Sequence, residues 1–166
     1  NSIGKGDGRY YYQNTDIAEL SQPFDMMLRA RLTNDEGGAS RGLGAFGLYA
    51  FTGTEAFAVI FRPGIIQNYA EDVISSSIDT SIFHDYLLSI TPGFGYKLFV
   101  DGALINSGDP FSLSSAPKIV LGDGTYVVES RAEIAGLTVS QVTEPSILAM
   151  LIAGIGILAV TASKRK

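Results

Sequence analysis

His84 is the only histidine of the chain, and it stands beside Asp85 at the start of "HDYLLSIT". A histidine next to a carboxylate has the makings of a general base. It needs a nucleophile to serve, and no serine lies in the Gly-x-Ser-x-Gly turn that exposes one. His84 therefore reads as a surface residue where a strand begins. Hydrolysis of a glycosidic bond asks for two carboxylates about 5–10 Å apart. Glu71 and Asp72 are adjacent, so on a strand they would face opposite ways, and a solvated turn suits them better. No catalytic residue is expected. Four aspartates sit in glycine-rich turns: Asp7 in "GKGDGRY", Asp101 in "VDG", Asp109 in "GDP" and Asp123 in "GDGTY". Calcium takes six to eight oxygens, and Asp7, Asp101 and Asp123 are the candidates to supply some of them. Asp-Gly pairs are also what tight turns require, and the Asp-x-Asp-x-Asp ladder is missing. No other cofactor is expected. Tyr10, Tyr11 and Tyr12 follow one another, so a strand there turns at least one ring outward, where a sugar or a protein partner could stack.

The elements that must position these residues are strands. Phe24, Met26, Leu28, Ala30 and Leu32 alternate with Asp25, Met27, Arg29, Arg31 and Thr33, the pattern of a half-buried strand. Pro23 and "NDEGG" bracket it as turns. "GAFGLYAFTG" and "EAFAVIFRPG" predict two more strands, separated at Gly53 and Thr54. "DYLLSIT" and "YKLFVDG" are joined by Pro92-Gly93-Phe94-Gly95, a hairpin signal, and Asp101-Gly102 favours a two-residue turn into "ALINSG". "KIVLG" and "AEIAGLTVSQV" complete the series, with a bulge expected at Ala135-Gly136. Residues 67–81 read as the least regular connection. Short strand after short strand, with no amphipathic helix before residue 143, predicts an all-β antiparallel sandwich or barrel. Residues 1–143 are long enough for one domain that buries roughly two-thirds of its unfolded surface.

The end of the chain has a different chemistry. Between Glu144 and Lys164, nineteen residues carry no charge. As a helix they would span ~28 Å, close to the ~30 Å hydrocarbon core of a bilayer. Ser146 can cap the start of that helix. Lys164, Arg165 and Lys166 form a basic end that positive-inside asymmetry assigns to the cytoplasm. Expected, then, are an extracytoplasmic domain over 1–143, a single transmembrane helix over 144–163 and a cytoplasmic end over 164–166. Ala149, Ala153, Gly156 and Val160 recur at helical spacing, and three of the four are small, so this stripe is the expected helix-packing face. The chain carries 12 basic and 17 acidic residues; ahead of Lys164 the balance is nine cations against seventeen acids, a net of −8. That disfavours nucleic acid and anionic membrane surfaces as partners. There is no cysteine, hence no disulfide and no requirement for an oxidising compartment. A first residue other than Met is what removal of an export signal would leave.

Two resemblances add to this. Glu144-Pro145-Ser146, the short glycine-containing span and the basic end resemble the PEP-CTERM sorting signal of Gram-negative bacteria. In that family the tripeptide is usually Pro-Glu-Pro; here Thr143 stands in the first position and the basic cluster is three residues long. The resemblance implies a bacterial surface protein handled by an exosortase. "HDYLLSITPGFGYKLFVDGALINSGDP" resembles the hairpin of laminin-G-like and concanavalin A-like jelly rolls, and "KIVLGDGTY" with "AEIAGLTVSQV" resembles their closing strands. That implies a jelly-roll sandwich whose last strand pairs with the first, and a fold in which lectins, adhesion modules, glycanases and structural units all occur. It also implies loop aspartates of the kind that bind calcium in some of these domains.

Two functional expectations follow, both non-catalytic and both at a bacterial cell membrane with the domain periplasmic or extracellular. In one, the protein is a structural subunit whose helix and domain join other membrane-protein subunits, as in a respiratory or photosynthetic complex. In the other, it is a sorted surface protein that binds glycan or exopolysaccharide.

Overall fold

The computed structural model describes residues 2–6, 9–14, 20–35, 46–68, 70, 72–123 and 130–142. Every regular element among them is a strand: β1 (Ser2–Gly6), β2 (Arg9–Asn14), β3 (Phe24–Asp35), β4 (Phe46–Phe51), β5 (Glu55–Arg62), β6 (Ile65–Gln67), β7 (Val73–Ser75), β8 (His84–Thr91), β9 (Gly95–Val100), β10 (Ala103–Gly108), β11 (Phe111–Ser112), β12 (Lys118–Asp123) and β13 (Ser130–Gln141). They form two antiparallel sheets. One runs β1-β2-β12-β4-β5-β6-β7, with β11 on the edge of β5; the other runs β10-β9-β8-β3-β13. No helix among the described residues is long and apolar enough to cross a membrane. The expected span over 144–163 and its stripe Ala149, Ala153, Gly156 and Val160 lie outside the described residues.

Alternation builds the core. Phe24, Met26 and Leu28 of β3, with Tyr86, Leu88 and Ile90 of β8, point inward and meet Leu48 of β4 and Phe57, Val59 and Phe61 of β5 in one apolar cluster. Phe61 stacks obliquely on Tyr86 across the sheets, ring centres 4.6 Å apart. The register follows the sequence pattern closely at β3 and β8, where Met26 pairs with Leu88 and Leu28 with Tyr86. The expected bulge is present, as the β13–β3 register slips between Ile134 and Gly136. The Asp101-Gly102 turn is also present, with Val100 opposite Ala103 and both turn residues at positive φ.

One expectation is corrected. The last strand does not pair with the first: β13 pairs with β3, while β1 pairs with β2 in the opposite sheet. The long alternating β3 has the apolar face that β13 must cover, with Leu137 opposite Leu28 and Val139 opposite Met26.

The irregular connection between β6 and β8 is tied down by Thr80, which is 1 % exposed. Its hydroxyl donates to the Arg62 carbonyl at 2.7 Å and accepts the Gly64 N–H at 3.1 Å. Its own carbonyl accepts the Leu32 N–H at 2.7 Å, so one residue links this connection to both sheets.

Candidate functional site

The β8–β9 hairpin and the end of β10 build an open concavity among the described residues. Thr91 pairs with Gly95, which leaves Pro92, Gly93 and Phe94 at the tip. The Phe94 N–H closes the turn on the Thr91 carbonyl at 2.9 Å. The Gly93 N–H points at the Glu55 carboxylate, 3.1 and 3.2 Å from its two oxygens, which ties the tip to the start of β5. Phe94 is 85 % exposed, a large apolar ring held in solvent on a fixed turn. Gly95 has φ +124°, and a Cβ there would collide with the Gly108 carbonyl oxygen. Glycine is therefore what lets the end of β10 approach the hairpin.

On the outer face of this corner, Ser89, Lys97 and Ser107 are cross-strand neighbours on β8, β9 and β10. With Thr91, Phe94 and Asp109 they line an open groove of about 500 Å3. Lys97 and Asp109 make no ion pair among the described residues. Beyond Asp109 the chain crosses to the other sheet, where Phe111 pairs with Ala56. A smaller pocket of about 90 Å3 lies there, between Asn68, Tyr96, Asp109 and Phe111. Burial pushes the Tyr96 hydroxyl above its ordinary value, aided by the nearby Asp72 charge, so it stays a phenol. It accepts a long hydrogen bond of 3.4 Å from the Asn106 amide.

The residues singled out in the sequence are dispersed. His84 is not the plain surface residue expected: its side chain is 13 % exposed and both ring nitrogens are engaged. Nε2 donates to the Asp79 carbonyl at 3.0 Å, and Nδ1 lies 2.6 Å from Asp101 Oδ2. Neither nitrogen is left to act as a base. Asp101 uses its other oxygen to accept the Asp85 N–H at 2.9 Å. That bond, then the His84 ring, hold its carboxyl below the usual carboxylate range. Its oxygens thus belong to the turn. Asp7 lies outside the described residues, as does Glu71; Asp123 ends β12, its backbone opposite Phe46. Asp72 is exposed and joined to Asn68, which its N–H meets at 2.9 Å. Among the described residues no three His, Cys, Asp or Glu side chains are grouped to hold a metal. Tyr10, Tyr11 and Tyr12 lie on β2, between β1 and β12, with Tyr12 opposite Leu121 and Tyr11 opposite Gly122. That is the sheet away from the groove.

No protein-family model matches the chain, and no curated protein matches it in sequence. Solved structures do match in shape. The galectin LEC-6 of Caenorhabditis elegans is 15 % identical over 78 % of this chain and 90 % of its own, with a TM-score of 0.51. A cellulose-induced protein is 10 % identical over 81 % and 74 %, with a TM-score of 0.54. An alginate lyase of polysaccharide lyase family 7 is 10 % identical over 84 % and 81 %, with a TM-score of 0.53. The fold is a concanavalin A-like jelly roll. At these identities the likeness is one of architecture, and it assigns no residue of this chain a role.

The groove was not foreseen in the sequence. "PGFG" signals a turn, but the approach of Gly108, which makes the turn one wall of a groove, joins residues that no local pattern connects.

Proposed function

We propose that this protein is a non-catalytic glycan-binding jelly roll, displayed on the outer side of a bacterial membrane by its C-terminal segment. The observation that carries the reading is Phe94, a fully presented ring at the mouth of a groove lined with hydroxyls, one amine and one carboxylate. A pyranose has one face of C–H groups and a rim of hydroxyls. The ring takes the C–H face, while Ser89, Thr91, Ser107, Lys97 and Asp109 exchange hydrogen bonds with the rim. Orientation by a few polar groups around an apolar contact is how small-molecule sites achieve selectivity. The shared architecture with a galectin and an alginate lyase supports a carbohydrate ligand. Asp109 is the only carboxylate among the lining residues, one short of the pair that glycoside hydrolysis uses. The uncharged stretch from Pro145 to Ser163 and the basic end support the anchor.

The test is a glycan panel presented to the full chain in mild detergent, followed by calorimetry on whatever binds. Phe94→Ala should weaken binding about tenfold, equivalent to ~1.4 kcal/mol, with the melting temperature unchanged. Binding that is indifferent to Phe94, or no binding across acidic and neutral polysaccharides, would remove the proposal. Turnover of any panel glycan would remove its non-catalytic part.

A further inference from the structure

The outer face of the five-stranded sheet carries an unbroken apolar row. Leu104 of β10 is opposite Phe99 of β9, Phe99 is opposite Leu87 of β8, and Leu87 is opposite Met27 of β3. These are the outward residues of strands whose inward ones form the core, yet Leu104 is 56 % and Met27 50 % exposed. Isolated exposed apolar residues are ordinary, but four in register across four strands make a surface.

The rows on either side carry charge in a definite order. Two residues along on one side stand Arg29 and Asp85 on adjacent strands, with Asp101 just past the end of the next. Two residues along on the other side stand Asp25, Ser89 and Lys97, with Ser107 beside Lys97 beyond the β10 bulge.

We propose that this face binds a second copy of the chain, about a two-fold axis lying along the apolar row. Such an axis places each row residue against its own symmetry mate and exchanges the flanking rows. Arg29 of one copy then comes opposite Asp25 of the other, and Asp101 comes opposite Lys97, each pairing occurring twice. The charged positions of the flanking rows thus meet an unlike charge, as Arg29 with Asp25 and Asp101 with Lys97, or a hydroxyl, as Asp85 with Ser89. The strands of the two copies run close to antiparallel, the aligned mode in which sheets stack ~10 Å apart. Five strands of about eight residues present a face of ~20 by ~26 Å, roughly 500 Å2 in projection, which is below the roughly 800 Å2 per partner of a standard interface and suits a weak dimer. The proposal goes beyond the glycan reading and does not depend on it; because Ser89, Lys97 and Ser107 line both surfaces, a second copy covers that wall of the groove, and glycan and second copy compete for this face.

The absence of cysteine makes a clean experiment possible. Met27→Cys in the full chain, in mild detergent, should be joined into a dimer by a bismaleimide spanning ~10 Å, because residue 27 faces itself across the axis. Val73→Cys, exposed on the other sheet, should give at least tenfold less dimer. Adding Leu104→Glu to Met27→Cys sets two carboxylates face to face and should abolish the product, whereas adding Leu104→Met should preserve it. Both sites are half exposed, so neither change touches the core. Association through the C-terminal segment alone would give equal yields at 27 and 73. Such equality, or cross-linking at 27 that survives Leu104→Glu, would overturn the proposal.

Discussion

At Gly95 two requirements coincide, a positive φ and a carbonyl oxygen where a side chain would begin. Gly95→Ala should therefore destabilise the domain by ~2–3 kcal/mol, at the upper end of strained-backbone costs, and should open the groove as the end of β10 moves away. Denaturant midpoints measure the first effect, and amide exchange at Gly108 the second. Gly102→Ala meets positive φ but open space, and should cost less. The carboxylates around His84 set a different kind of dependence. Asp101 and Asp79 are both held below their ordinary values, Asp101 chiefly by the Asp85 N–H and Asp79 chiefly by the Ser81 hydroxyl. A carboxyl whose folded value is depressed stabilises the fold above the unfolded value, about pH 4, and loses that contribution as pH falls through the folded value. Asp101→Asn should accordingly lower the urea midpoint at pH 7. The gap between variant and parent should narrow below about pH 4, and a gap that stays constant down to pH 2 would contradict the assignment.

Among the elements, the connection from β6 to β8 depends most on a single side chain. Thr80→Val keeps the shape but removes a donor to the Arg62 carbonyl and an acceptor for the Gly64 N–H, at a buried site. The expected cost is ~1–3 kcal/mol, with faster amide exchange at Leu32 and Gly64; a loss below 0.5 kcal/mol would show that water replaces the hydroxyl. The strands differ in how far the sequence announces them. β3 and β8 bury one face only, so Phe24, Met26 and Leu28, or Tyr86, Leu88 and Ile90, impose a period of two that can be read directly. β6, β7 and β11 have three, three and two residues, too few for any period to show. Their existence depends on neighbouring strands that offer free edges. The partner of β13 was also hidden, because pairing joins residues about a hundred positions apart and several strands present a compatible alternation. The groove shares this limit. Phe94 and its turn are local, whereas Lys97, Ser107 and Asp109 converge on it only through the register of three strands.

For the whole molecule, the central question is how an acidic jelly roll is presented. Ahead of Lys164 the chain has a net charge of −8, and three cations close it. Acidic residues contribute little to membrane orientation, while Lys and Arg within a short distance of a span dominate it. The segment Pro145–Ser163 has no charge to transfer into hydrocarbon, and Lys164, Arg165 and Lys166 would each cost several kcal/mol to carry across. On the proposed topology the groove and the apolar row therefore stand outside, where polysaccharide and neighbouring copies are available. Expressed in a Gram-negative host, the full chain should be cut by protease added to intact spheroplasts, leaving a membrane-embedded fragment that contains Pro145–Ser163 and Lys164, Arg165 and Lys166. Replacing Lys164, Arg165 and Lys166 by Gln should weaken that preference and leave part of the population protected. Protection of the domain in intact spheroplasts, with loss of only the last few residues, would invert the topology and place the groove in the cytoplasm, away from any cell-surface glycan.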